Sequence, residues 1–253
     1  MRQKLEYAPV WLIVRLFSIL PRPFARGTGI ALAHLVRILH RRLWQVGLRN
    51  LELAFPEKPV KERKRILKGV YTSLGRQLAE FTKFPQYSTE NIRKIAVYEG
   101  FENFERARDL GKGVLFMTAH LGGWEIGAFA HSIYGNPLNV MMRELDNQYL
   151  DRLVTHYRSL HGNKMMLKDG FARGLIGAMR RGETVGILMD TNMTPPQGVF
   201  VPFFGHLACT ASGVARVALR TGAAVVPAFT IWDDELGKYR IHFEPPIVMV
   251  NTG

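Results

Sequence analysis

The chain has 253 residues, 47% hydrophobic and 22% charged. That is enough for one large α/β domain or two small ones with a sizeable core, and it excludes a disordered chain. One cysteine, Cys209, excludes an intramolecular disulfide framework and any cysteine-based zinc or iron–sulfur site, and the composition fits the cytosol or the cytosolic side of a membrane. Against 21 Asp and Glu stand 34 Lys and Arg, a net +13, and the excess is local: residues 1–68 carry 15 basic and 4 acidic side chains, the remainder 19 and 17. A basic stretch of this kind suits a polyanion, either nucleic acid or an anionic lipid surface.

The apolar residues among those charges favour lipid. Trp11 to Leu20 and Ile30 to Leu39 form two apolar blocks, with Arg15, Arg22, Arg26, Arg37, Arg41 and Arg42 in and around them. Counted from Tyr7, the first apolar stretch is about 14 residues long and ends at Pro21, where a bilayer span needs roughly 20. The second carries Gly29, His34 and Arg37. Both read as amphipathic helices lying at a membrane interface; two ordinary packed helices are the alternative. No cleavage site for a signal peptide follows the first block. No helix-turn-helix, zinc finger or RNA-binding signature accompanies the charge, so no nucleic acid partner is expected.

Residues 58–84 read as one helix, with Ile66, Leu67, Val70, Leu74, Leu78 and Phe81 at helical spacing and Pro85 as its stop. From about residue 95 short apolar runs alternate with helical stretches. The runs are 114–119, 138–142, 164–168, 184–190, 223–232 and 239–244; the helices are expected at 123–133, 146–161, 171–181 and 210–221. This pattern predicts an α/β fold with a mostly parallel or mixed sheet flanked by helices, its last two strands forming an antiparallel edge hairpin. The natural division is a helical, basic, membrane-associating region over 1–90 and an α/β domain over 91–253.

The stretch VLFMTAHLGGWEIG (114–127) carries the most chemistry. An apolar strand runs into His120, Gly122-Gly123 breaks it, and a helix starts at Trp124-Glu125. Sites in open α/β sheets lie at the carboxyl ends of strands. On one continuous helix His120 and Glu125 would point about 140° apart, but a glycine turn lets them converge. Glu125 would then accept a hydrogen bond from one imidazole nitrogen and leave the other as a general base, beside helix N–H groups able to hold an oxyanion or phosphate. A histidine that simply ends a strand is the competing reading. Arg143, after the next strand, faces the same rim and suits a phosphate or carbonyl, with a salt bridge to Glu144 or Asp146 as its ordinary role. Asn147 is a plausible helix cap. Asp190 ends a further strand. Phe203 and Phe204 before Gly205 suggest an apolar wall, either a channel or plain core. Cys209 reads as a small packed residue, and His131, His156, His161 and His206 as surface or loop residues. No zincin, P-loop or Gly-x-Ser-x-Gly motif is present.

Taken together, RNLELAFPEK (49–58), TAHLGGWE (118–125), MRELDNQYLDRL (142–153), GETVGILMD (182–190) and GVFVPFFGHLACTASGVARVALRTGAAVVPAF (198–229) resemble the bacterial lipid A biosynthesis acyltransferases, lauroyl and myristoyl transferases of the glycerolipid acyltransferase superfamily. The family's H-x4-D/E signature falls on His120 and Glu125, which the resemblance makes catalytic. Its arginine falls on Arg143, with Glu144 where Pro is usual, and its aspartate on Asp190, followed by Thr191-Asn192 where Gln-Asp is common. The resemblance implies transfer of a fatty acyl group from acyl carrier protein or acyl-CoA to a hydroxyl of an anionic glycolipid, the lipid A precursor, at the cytoplasmic face of the bacterial inner membrane. Arg143, Asn147, Asp190, Phe203, Phe204 and Gly205 would bind substrate. No metal or cofactor is expected, because a thioester is already activated. Another glycolipid acceptor, such as a phosphatidylinositol mannoside with acyl-CoA, and an inert membrane-peripheral lipid-binding protein are the alternatives. Family members continue past the point where this chain reads VMVNTG, so it is expected to be a fragment or a short member.

Overall fold

The computed structural model describes residues 1–167 and 171–249. The last residue of the expected 164–168 strand and the final residues of the C-terminal expectation lie outside them. Contacts divide the chain into two compact units. One holds Val10–Lys83 and Phe200–Ala208; the other holds Met1–Pro9, Phe84–Val199 and the chain from Cys209 onward.

The helical unit is built on the part of α1 (Arg2–Ile19) from Val10 onward, α2 (Arg22–Leu39), α3 (Arg41–Ala54) and α4 (Val60–Thr82); the first turns of α1, to Pro9, belong to the other unit. Pro21, Pro23 and Pro59 mark helix boundaries, where a missing N–H costs nothing. Gly29 on α2 and Gly75 on α4 let the two backbones touch, since a Cβ on either would collide with the other's carbonyl. At that crossing the fully buried Glu80 is held by Arg22, Nη2 to Oε1 2.7 Å. Lys83 Nζ donates to the Ser18 carbonyl at 2.8 Å and to the Leu20 carbonyl, closing the end of α1, and burial lowers its pKa. Helix α3 buries no residue fully, but Trp44, Leu48 and Leu51 are half-buried, the Trp44 ring lies 6.3 Å from that of Tyr71 on α4, and a Cβ on Gly47 would collide with Leu67. Among the described residues no helix is long and apolar enough to cross a membrane.

The α/β unit carries β1 (Ala96–Glu99), α5 (Phe101–Asp109), β2 (Val114–Thr118), α6 (Trp124–Ile133), β3 (Asn139–Met142), α7 (Gln148–Ser159), β4 (Lys164–Leu167), α8 (Phe171–Arg180) and β5 (Thr184–Leu188). After β5 the chain runs through the hairpin β6 (Gly198–Phe203) and β7 (His206–Ala211), whose Phe200–Ala208 belong to the helical unit, and the α/β unit resumes with α9 (Gly213–Thr221), β8 (Ala224–Asp233) and β9 (Lys238–Phe243). Seven strands form one sheet in the order β1-β9-β8-β2-β5-β3-β4. All neighbours are parallel except β8 and β9. The expected antiparallel hairpin is therefore present, but it is not an edge: β1, which the sequence reading missed, pairs outside β9. The helix expected from 210 starts at Gly213, because Cys209 to Ala211 are still strand.

Alternation along the strands separates two faces. Leu115, Val185, Ile187 and Val225 pack with α8 and α9 around Leu175, Met179 and Val217. Phe116 points the other way, into rings from Phe104, His131 and Phe243. The chain leaves β2 towards β3 and β4, returns to β5 beside β2, then leaves for β8 on the other flank. The carboxyl ends of β2 and β5 thus form a topological switch point, where ligands bind in such sheets.

Candidate active site

His120 follows β2 and Asp190 follows β5, so adjacency of these parallel strands brings them together. Asp190 Oδ1 accepts from His120 Nδ1 at 2.8 Å, and its Oδ2 accepts from the His120 backbone N–H at 2.9 Å. Two bonds from one residue fix the carboxylate. Burial pulls the Asp190 pKa up, but the His120 bonds outweigh it and hold it below the ordinary carboxylate value. An ionised Asp190 accepts at Nδ1–H, which leaves Nε2 with its lone pair. The Trp124 ring meets the imidazole edge-on, centroids 5.2 Å apart.

Gly122, at φ 64°, makes the turn between β2 and α6. It lies against β8, where Gly123 N–H donates to the Thr230 carbonyl at 2.7 Å, and a Cβ on Gly122 would collide with that carbonyl oxygen. The turn brings Glu125 into the first turn of α6, but the hydrogen bond of the imidazole goes to Asp190 rather than to Glu125. Glu125 is instead gripped by Arg158 of α7, Nε to Oε2 at 2.8 Å and Nη2 to Oε1, a bidentate pair largely shielded from solvent. Sequence reasoning missed Arg158. Its signal was an arginine on a helix following a strand of the same sheet, which pattern alone cannot aim.

A cavity of about 800 Å³ opens beside this group. His120, Glu125, Arg143 and Arg158 line it, and its walls reach Phe116, Val140, Leu188 and Phe243 in the sheet and His131 on α6. His131 was expected at the surface and is buried. It lies four residues after Gly127 on the inward face of α6. Tyr98 Oη lies 2.5 Å from Nδ1, Nε2 has no hydrogen-bond partner, and burial, then Arg108, pushes its pKa down to about 3.

The other expected residues differ in their placement. Arg143 lines the cavity but is mostly exposed and pairs with Asp146 Oδ1 at 3.1 Å. Asn147 is buried and off the cavity: its Oδ1 caps α7 at Tyr149 N–H, 3.0 Å, and Leu150 N–H, while Nδ2 donates to Gln3 and Glu6 of α1. Both ends of its amide are engaged in structure, which bears out the helix-cap reading of Asn147. Phe203, Phe204 and Gly205 form the tip of the β6–β7 hairpin, in the helical unit. The two rings are exposed, which overturns the plain-core reading. Cys209 is buried as expected. Among the described residues no cluster of His, Cys, Asp or Glu could hold a metal.

The sequence model of bacterial lipid A biosynthesis acyltransferase matches residues 2–253. A lipid A biosynthesis lauroyltransferase of Escherichia coli is 31% identical over 94% of this chain and 76% of its own length. A lipid A biosynthesis palmitoleoyltransferase of the same organism is 27% identical over 93% and 76%, and a lipid A biosynthesis acyltransferase of Haemophilus influenzae 31% over 96% and 79%. The chain belongs to the bacterial lipid A biosynthesis acyltransferase family and is an acyltransferase of lipid A biosynthesis.

Proposed function

We propose that His120 is the general base of acyl transfer from a thioester, on acyl carrier protein or coenzyme A, to a hydroxyl of a lipid A precursor. The pairing of His120 with Asp190 on the rim of an apolar cavity carries this reading. Nε2 takes the acceptor's hydroxyl proton as its oxygen attacks the thioester carbonyl. The C–S bond then breaks, and the proton passes from Nε2 to the leaving thiolate. Such a base supplies roughly 100- to 10,000-fold. Asp190 orients the ring and stabilises the imidazolium, as in a hydrolase triad whose serine is replaced by the acceptor. The first N–H groups of α6, whose cap Gly123 makes no side-chain hydrogen bond to them, face the developing oxyanion, each donor worth about 3 kcal/mol. Glu125 and Arg158 hold the rim in shape, the cavity takes the acyl chain, and Arg143 meets an anionic group of donor or acceptor.

The work surface is the cytoplasmic face of the inner membrane. Amphipathic basic helices in the first ninety residues supply the attachment, and an acidic carrier protein suits the same charge. The test is an assay of purified protein in lipid vesicles with a lipid A precursor and each donor in turn. Product from wild type and none from a folded His120→Ala variant supports the reading. Near-normal turnover of that variant removes it.

A further inference from the structure

We propose that the tip of the β6–β7 hairpin inserts into the interface of an anionic phospholipid bilayer, as a second anchor beside the N-terminal helices; this rests on the membrane reading above. Between Asp190 and Arg216 the sequence contains no Asp, Glu, Lys or Arg. A solvated surface segment of that length normally carries several. The hairpin tip is nevertheless open: Phe200 is 60% exposed, Phe203 59% and Leu207 72%. A two-stranded hairpin is at best marginally stable in water by itself, and this one turns apolar side chains outward on both strands. Phe204, at φ 48°, fixes its orientation. Its ring packs edge-on against Phe55 at the end of α3, centroids 5.1 Å apart, and Lys58 Nζ lies 5.7 Å from the Phe55 centroid.

The occupant follows from the charge around the tip. Residues 10–83, the rest of the same unit, hold 15 Lys and Arg against 4 Asp and Glu. An uncharged aromatic tip in a strongly basic unit matches the profile of an anionic membrane surface, which takes aromatic rings at headgroup level and attracts each nearby cation. A second copy of this chain is a poor occupant, because two such basic units repel.

The experiment places an environment-sensitive fluorophore (NBD) on Leu207→Cys in a Cys209→Ser background of the full chain, with phosphatidylglycerol–phosphatidylethanolamine vesicles. Sedimentation and emission are read together. The expected result is co-sedimentation, a blue shift and a several-fold rise in emission. Phe203→Ser combined with Leu207→Ser should weaken vesicle partition about tenfold or more. A chain that sediments with its probe unchanged overturns hairpin insertion and leaves the membrane reading standing. A chain that does not sediment overturns both. Emission that rises with protein concentration in the absence of lipid assigns the tip to a second copy and overturns the lipid proposal.

Discussion

Leu115, Ile126 and Val226 in the α/β unit are fully enclosed, whereas Ile38, Leu39 and Leu43 in the helical unit stand open to solvent. Both units are rich in apolar residues, but they use them differently. The α/β unit closes its core within itself, and the strand ends it fixes can hold His120 and Asp190 to a defined geometry. The helical unit closes a smaller core at the α2–α4 crossing and leaves apolar side chains facing outward between arginines. Precision of the site belongs to the first unit; the membrane attachment proposed above would belong to the second.

The sharpest way to break that division is to change each unit alone. His120→Ala should lower turnover by about 100- to 10,000-fold without shifting vesicle partition, read by acyl-transfer rate and sedimentation on one preparation. Replacing Ile38, Leu39 and Leu43 with serine should do the reverse, weakening partition by about tenfold or more. Donor thioester hydrolysis in detergent should remain near wild type. These exposed positions are better probes than deletion of residues 1–45, which would strip Gly29 from Gly75 and leave Glu80 without Arg22.

Acid stability sharpens the picture of the α/β unit. His131 is neutral in the fold, with a pKa near 3, and takes a proton in the unfolded chain below its ordinary value of about 6.5. Between those values the unfolded state binds more protons. The stabilisation is therefore full above about pH 6.5 and is lost as the pH falls towards 3, with a slope up to about 1.4 kcal/mol per pH unit. His131→Leu should flatten the thermal-melting profile across that window; an unchanged slope would assign the titration to another group. The smallest effect is expected at Arg143. Arg143→Lys keeps the charge and loses the planar fork, and with the native guanidinium exposed and shared with Asp146, activity should fall by a few-fold. Kinetics identical to wild type would remove a bidentate contact with substrate.

Much of the sheet was legible from sequence, because buried parallel strands write themselves as apolar runs: 114–118, 184–188 and 224–233 are such runs. His120, Arg143 and Asp190 were legible as strand-end residues for the same reason. What was hidden depends on strand order. Nothing in local sequence says that the strand ending before Asp190 lies beside the one ending before His120, so the sequence alone pairs the imidazole with the nearer Glu125. Arg158, fifteen residues beyond Arg143 on another element, was hidden likewise. The short β1 is followed at once by a mostly charged helix, so its apolar signal is weak. His131 was misread because a lone histidine carries no mark of burial, although Phe129, Ala130 and Ile133 around it are apolar.

The most direct measurement compares Asp190→Asn with Glu125→Gln in the folded full chain, under saturating donor and acceptor. If Asp190 fixes the imidazole, Asp190→Asn presents an amide to Nδ1, favours the wrong tautomer and lowers kcat by about 100-fold or more with KM little changed. Glu125→Gln, which keeps the shape of the Arg158 contact, should cost clearly less. A near-normal kcat for Asp190→Asn together with a collapse for Glu125→Gln would contradict the account and return Glu125 to the role of imidazole partner.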